Sequence, residues 1–310
     1  MLVARRTFGF AVVVGALCAL ALPRLAWRNN TVDPPSGIQE NTAPNPRLIS
    51  LAPSITEIVF ELKAESHLVG RTDFCLWPSA AALIPSIGAM GTPNPEAMLA
   101  LNPDWALATP LTRAPAIRRL ERIGVPVRTL SFEGIEGIFE GFTQLGALVG
   151  KVDEANDWVS EVEKRLGEPT ERSSLLERGA PTALILLGDE GLYAAGPGSF
   201  PSDALAYAGA LNVTEELETP WPKLNAEALL LWDPDWIIVA SDTPSAAAVE
   251  GLQPSTWGCE HPVYAHLSAV KNANVYEALD SCLTVPGPRF VEFTLALREL
   301  IQRPPSPEPE

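Results

Sequence analysis

Two glutamates occupy matched frames. "NPEAMLALNPDWALA" begins at Asn94, and "NAEALLLWDPDWIIVA" begins at Asn225. In each, an asparagine suits the N-cap and Glu96 or Glu227 takes the second helical position. Pro103 or Pro234 then stops the helix, an aspartate follows, and Trp105 or Trp236 opens an apolar strand. An acidic residue in a first turn is favoured by the helix dipole by about 0.3–1 kcal/mol, so one such glutamate is ordinary. Two in the same frame suggest lobes related by pseudo-symmetry. Such a pair of acidic knobs at one end of the molecule can dock onto basic groups of a two-fold symmetric partner.

This is chemistry of recognition. His67, His261 and His266 are the only three histidines, and none lies in a triad context. There is no G-x-S-x-G elbow, no P-loop and no G-x-G-x-x-G after a strand. No catalytic residue is nominated. Cys259, His261 and His266 lie close in sequence, as zinc ligands can. In an oxidising compartment Cys259 can instead form a disulfide with Cys282 and lose its thiolate, so no metal ligand is assigned, and a metal-ion receptor or a non-transport ligand sensor is kept as an alternative reading. Closing that loop would contribute roughly 3 kcal/mol. Cys75 is then an apolar filler.

Broad surfaces for a ligand come from aromatic residues. Of eight tryptophans, Trp105, Trp158, Trp232 and Trp236 read as core or lobe packing. Trp221 stands apart because Pro220 and Pro222 place it on a rigid loop. Thr109 follows an apolar strand at its carboxyl end, where α/β sheets place ligand loops. Gly196-Pro197-Gly198-Ser199 reads as a tight turn, with Ser199 or Ser202 capping a helix. Arg289, in "PGPR", is read as structural.

The elements that must position these residues alternate. "RLISL" predicts a buried strand, with Ser54 and Glu57 then read as a capping box opening a helix. "HLVGRTD", "WALAT" and "VPVRTLS" follow as strands separated by helices. After an apolar helix at 135–149 and an amphipathic one carrying Val152, Trp158, Val159, Val162 and Leu166, the alternation restarts. "TALILLGD", "LYAAGPGS", "WIIVAS" and "NVYEAL" are the later strands. The fold class is α/β: two Rossmann-like lobes with mostly parallel sheets, joined by a long helix, with a ligand cleft between them. The expected organisation is a signal peptide or anchor at 1–26, a disordered linker at 27–46, an N-terminal lobe at 47–150, a connecting helix at 151–178, a C-terminal lobe at 179–302 and a tail at 303–310.

The formal charge of −16, from 22 basic and 38 acidic residues, argues against nucleic-acid binding. Arg5 and Arg6 before an apolar run from Phe8 to Leu22 mark an export signal, cleaved or kept as an anchor, with lipidation at Cys18 a further form. The body is therefore expected in the periplasm or an equivalent extracytoplasmic space, as a monomer.

"RLISLAPSITEIVFEL", "VGRTDFCLWPSAA", "NPEAMLALNPDWALA", "AAGPGSFPSDALAYAGALNV", "TPWPKLNAEALLLWDPDWIIV" and "VPGPRFVEF", in this order, resemble the periplasmic binding proteins of cobalamin and iron-siderophore ABC importers. The resemblance covers nearly all of 47–302. It implies a non-catalytic receptor that holds cobalamin or an iron chelate between its lobes and delivers it to an ABC permease dimer driven by an ATPase. It places the family's docking glutamates at Glu96 and Glu227, which would meet permease arginines. "TPWP" is similar to the cobalamin-binding branch. Trp221 then matches the tryptophan lining the corrin site, Trp77 a ligand-facing aromatic, and Asp280 a polar residue that reaches ligand. Ser199 falls in the family's turn at the cleft edge. Met90 stands where the cobalamin branch has tryptophan. No cofactor is implied beyond the ligand.

Overall fold

The computed structural model describes residues 45–188, 192–240, 251–278 and 281–303. The signal segment, nearly all of the linker and tail, and Asp280 lie outside the described residues.

The N-terminal lobe runs β1 (Leu48–Ser50), α1 (Pro53–Glu61), β2 (Leu68–Arg71), β3 (Gly88–Ala89), β4 (Thr92–Pro93), α2 (Pro95–Ala100), β5 (Trp105–Ala108), α3 (Ala114–Arg122) and β6 (Val127–Thr129). A helical layer follows, made of α4 (Gly134–Leu148), α5 (Val152–Leu166) and the short α6 (Arg172–Glu177). The C-terminal lobe runs β7 (Thr182–Leu187), β8 (Tyr193–Ala194), α7 (Phe200–Ala208), β9 (Leu211–Asn212), α8 (Ala226–Trp232), β10 (Trp236–Ala240), β11 (Leu252–Pro254), α9 (Ser268–Lys271), β12 (Val275–Ala278) and α10 (Phe290–Ile301). The predicted strands are present. The β3–β4 hairpin, β9 and β11 are additions that the sequence pattern does not announce.

The first sheet is parallel throughout, in the order β2-β1-β5-β6. In the second sheet, β9, β7, β10 and β12 pair in parallel in the matching order, with β8 and β11 added antiparallel. The lobes thus repeat a four-strand plan. Strand side chains alternate between two apolar layers. Ile49, Leu51 and Ala106 join Met98 of α2 and Leu120 of α3 on one face of the first sheet. Leu48 and Leu107 join α1 and α4 on the other. The second sheet divides likewise: Leu184, Leu186 and Ile237 meet α8, while Ala183, Ile185 and Ile238 meet α7 and α10.

The core of the first lobe does not stop at the lobe. α4 buries Ile135, Ile138, Phe139, Phe142 and Leu145, one helical stripe. The same cluster takes in Phe200, Phe290 and Val291 from the second lobe. Trp158 of α5 stacks on Phe142 at 3.5 Å between ring centroids and meets Phe139 and Phe290 edge-on. One apolar mass therefore joins both lobes through α4 and α5. The connecting segment is not one helix: α5 ends at Leu166, where Gly167 turns to φ +68°, and α6 is separate.

Two expectations are corrected. Ser54 is not the N-cap of α1. Pro53 takes the first turn, Ala52 caps without a side-chain bond, and Glu57 is buried in an ion pair elsewhere. Nor do Cys259 and Cys282 pair: Cys259 is an exposed free thiol and Cys282 is buried. Cys282 belongs to the α7–α10 side of the second sheet, whereas Cys259 follows Trp257 and Gly258, which pack on the opposite side. Cys75 is buried as expected, with Thr72 Oγ1 at 3.3 Å.

Candidate functional site

The matched glutamates stand on matched supports. Asn94 accepts from the amides of Glu96 and Ala97 at 3.0 and 3.3 Å, and Asn225 accepts from Ala228 at 2.8 Å. Both glutamates are exposed. Both helices end in a left-handed residue that tolerates it, Asn102 at φ +45° and Asp233 at φ +39°. Asp233 is held by the amide and hydroxyl of Ser268, each at 2.7 Å, which lower its pKa.

The aspartates after the prolines are the part of the repeat that sequence reading left without a role. Asp104 accepts from the Arg47 amide at 2.7 Å, and Asp235 from the Thr182 amide at 2.8 Å. Each caps the start of the neighbouring central strand, β1 or β7. The repeated "PDW" was the signal that could have found them. Because α2 and α8 feed the amino ends of β5 and β10, their own amino ends, with the glutamates, point toward the carboxyl ends of the sheets. Met90 lies in the half-buried turn of the β3–β4 hairpin, and the Asn94 amide at the hairpin's exit donates to Ile87 at 2.7 Å. The hairpin therefore sets the start of α2.

Trp77 sits where the lobes meet. Its loop leaves the carboxyl end of β2 with Phe74 and Leu76 exposed beside it. The guanidinium of Arg289, from the start of α10, lies 5.3 Å from the Trp77 ring centroid. The same guanidinium grips Glu57 of α1 through Nη2–Oε1 at 2.7 Å and Nε–Oε2 at 3.1 Å. Glu57 is 2% exposed and Arg289 14%. Arg289 is structural, as expected, and it also roofs one face of Trp77.

Trp221 is 41% exposed, yet its backbone is fastened on both sides. Ala194 donates to Pro222 at 2.9 Å, Gly196 to Pro220 at 2.8 Å and Leu224 to Leu192 at 2.9 Å. The segment is zipped onto β8 as an edge. Gly196 permits this: a Cβ there would lie 2.3 Å from the Thr219 carbonyl oxygen. Ser199 supports the same turn. It is buried, donates to the Gly196 carbonyl at 2.7 Å and caps α7 by accepting from Ser202. The capping expectation holds, and the hydroxyl is engaged inside the fold rather than presented to a ligand. Thr109 is buried at the carboxyl end of β5, its amide bonded to Thr112 Oγ1 at 3.3 Å, and Leu111 beyond it is exposed. Trp77, Met90 and Thr109 thus belong to the first lobe and Ser199 and Trp221 to the second.

A second contact between lobes joins α7 to the start of α4. Asp203 of α7 accepts from the Ile135 amide at 2.9 Å, capping α4 from across the junction. A Cβ at Gly134 would meet that carboxylate at 2.7 Å. Burial raises the Asp203 pKa against this hydrogen bond, and Glu215 and Glu136 raise it further. Among the described residues, no group of histidine, cysteine and acidic side chains could hold a metal. His261 Nδ1 accepts from the amides of Val263 and Tyr264 at 3.2 and 3.3 Å, which engages it within its own loop.

The sequence profile of the periplasmic binding proteins matches residues 48–281. The chain belongs to that family. Periplasmic binding proteins are transport receptors rather than enzymes, and the family includes binders of vitamin B12, haem and siderophores. A cobalamin-binding protein of Halobacterium salinarum is 28% identical over 253 residues, which cover 79% of this chain and 66% of that protein. The chain thus spans just under two thirds of that relative's length. An ABC transporter substrate-binding lipoprotein of Bacillus subtilis is 26% identical over 261 residues, 82% of this chain and 79% of that one. Among solved structures, a periplasmic haem-binding protein of Pseudomonas aeruginosa aligns at 25% identity with a TM-score of 0.67, covering 82% of this chain and 92% of that one. No helix among the described residues is long and apolar enough to cross a membrane.

Proposed function

We propose that this chain is the extracytoplasmic receptor of an ABC importer, capturing cobalamin or a related corrinoid and handing it to a permease dimer driven by an ATPase. The observation that carries the reading is Trp221: a large, exposed aromatic on a backbone that cannot retreat. A corrin is broad and partly flat, and a pre-placed indole offers it area at little entropic cost. Exposed Phe74, Leu76 and Leu111, beside half-buried Trp77, extend apolar surface on the first lobe. Met90 and Thr109 line the same side in this reading, and Asp280 supplies a polar anchor. Glu96 and Glu227 then serve as the two docking points for permease arginines. The export signal carries the receptor out of the cytoplasm and, where retained as an anchor, holds it at the membrane.

A second reading, haem or an iron-siderophore as cargo, is favoured by Met90 in place of tryptophan and by the likeness to the Pseudomonas haem binder. Titration with cyanocobalamin, haemin and ferrichrome, followed by tryptophan fluorescence, separates the readings. Saturable quenching by cyanocobalamin, weakened at least about tenfold by Trp221→Ala, is expected. Binding of haemin or ferrichrome alone transfers the assignment to that cargo. No quenching by any of the three defeats the importer reading for these ligands.

A further inference from the structure

The two docking helices share more than their glutamates. They read Glu96-Ala97-Met98-Leu99 and Glu227-Ala228-Leu229-Leu230. Met98 and Leu229 are fully buried, each in the outer apolar layer of its own lobe. That burial and the asparagine caps fix the rotation of both helices. The leucine three residues after each glutamate must then emerge on the glutamate's own face, since positions three apart are neighbours on a helix. Leu99 is 47% exposed and Leu230 44%, with Leu231 beside it at 82%. A single exposed leucine is unremarkable on any protein surface. Two, at equal offsets from two exposed glutamates on two equivalent helices, form a repeated acidic-and-apolar unit.

We infer that Leu99 and Leu230 are the apolar half of the docking contact, each entering an apolar socket of the permease beside the basic group that receives Glu96 or Glu227. The inference rests on the docking reading above and adds a partner chemistry to it. Charge decides the occupant. A second copy of this chain, itself at −16, would set acidic knob against acidic knob. An anionic lipid surface would repel the same face. A two-fold symmetric membrane protein with a basic group and an apolar recess on each half meets both units at once. The glutamates would steer encounter and set register, and the leucines would slow dissociation.

The test uses the full chain and its permease–ATPase complex in nanodiscs, with docking measured by biolayer interferometry at low and moderate salt. Leu99→Ser with Leu230→Ser should weaken docking by roughly tenfold or more, mostly through faster dissociation, with the salt dependence retained. Glu96→Gln with Glu227→Gln should weaken it and flatten the salt dependence. Thermal melts should be unchanged in both pairs, since all four side chains are exposed or half-exposed. If the glutamate pair weakens docking and the leucine pair does not, the inference is overturned and the docking reading stands. If neither pair weakens docking, both fall. Loss in the leucine pair with none in the glutamate pair also overturns the inference, because the two halves would not act as one unit.

Discussion

Arg289→Ala should be the most destabilising single change at the lobe junction. The guanidinium donates two charge-assisted hydrogen bonds, at 2.7 and 3.1 Å, to the Glu57 carboxylate, which is 2% exposed. Charged hydrogen bonds contribute about 1.5–3 kcal/mol each, and breaking a buried pair from one side costs about 3–5 kcal/mol. The folded body is large, so each kcal/mol lowers the melting temperature by roughly 2–4 °C. Arg289→Ala should therefore melt roughly 6–20 °C below the native protein. Because one apolar cluster spans both lobes, the melt should stay a single transition. The partner change Glu57→Gln, and the double variant, complete a cycle: the double variant should recover part of the loss, with a coupling of roughly 2 kcal/mol. Indole emission should also shift in Arg289→Ala as the cation leaves Trp77. Circular dichroism melts with calorimetry provide the readout. A drop under about 3 °C with additive effects would refute the claim that this pair holds the junction.

Gly196→Ala should preserve the fold while displacing the Trp221 segment, since its Cβ would stand 2.3 Å from the Thr219 oxygen and 2.8 Å from Pro222 Cδ. Cargo affinity should fall at least as far as in Trp221→Ala, by titration with cyanocobalamin, haemin and ferrichrome, and unchanged affinity would separate the clamp from binding. Asp203→Asn tests a pH linkage. The native carboxyl has a raised pKa, caused first by burial, so the folded state favours its protonated form. That preference stabilises the fold at low pH and is lost as pH rises from the ordinary aspartate range through the raised native value. The asparagine oxygen can still accept from Ile135, so the variant should gain on the native protein as pH rises through that window and hold a constant margin above it. A margin independent of pH, in urea melts across pH 3 to 8 (roughly the span of carboxylate titration), would refute the linkage.

The strands of both lobes were legible because they are short apolar runs between turn residues, and the repeated helix–proline–aspartate–tryptophan pattern was legible because it lies within one local segment. What failed was long-range. Glu57 reads as a capping residue from its neighbours, yet its partner is Arg289, 232 positions away. A glutamate inside "SITEIVF", with apolar residues on both sides, was the available hint that it would need a buried cation. Cys259 and Cys282 are near in sequence, but one is exposed and the other buried, a difference that spacing does not reveal. Two-residue strands such as β3, β4 and β9 carry too little pattern to announce themselves.

The junction also bears on the proposed docking reading. Asp203 caps α4 across the lobes, and Glu57 grips Arg289. Arg298 of α10 donates to the carbonyl of Leu166 at the end of α5, and Arg165 of α5 pairs with Glu292 of α10 at 2.6 Å. A wide hinge motion would have to break these polar contacts and split the aromatic cluster of Phe139, Phe142, Trp158 and Phe290 together. These contacts predict little movement of the lobes against one another, so in the proposed docking reading the span between Glu96 and Glu227 should change little between empty and loaded receptor. A permease reading that span alone could not tell a loaded receptor from an empty one. In that reading discrimination would come from surface that cargo itself alters, for which the loops of Trp77 and Trp221 are the proposed segments.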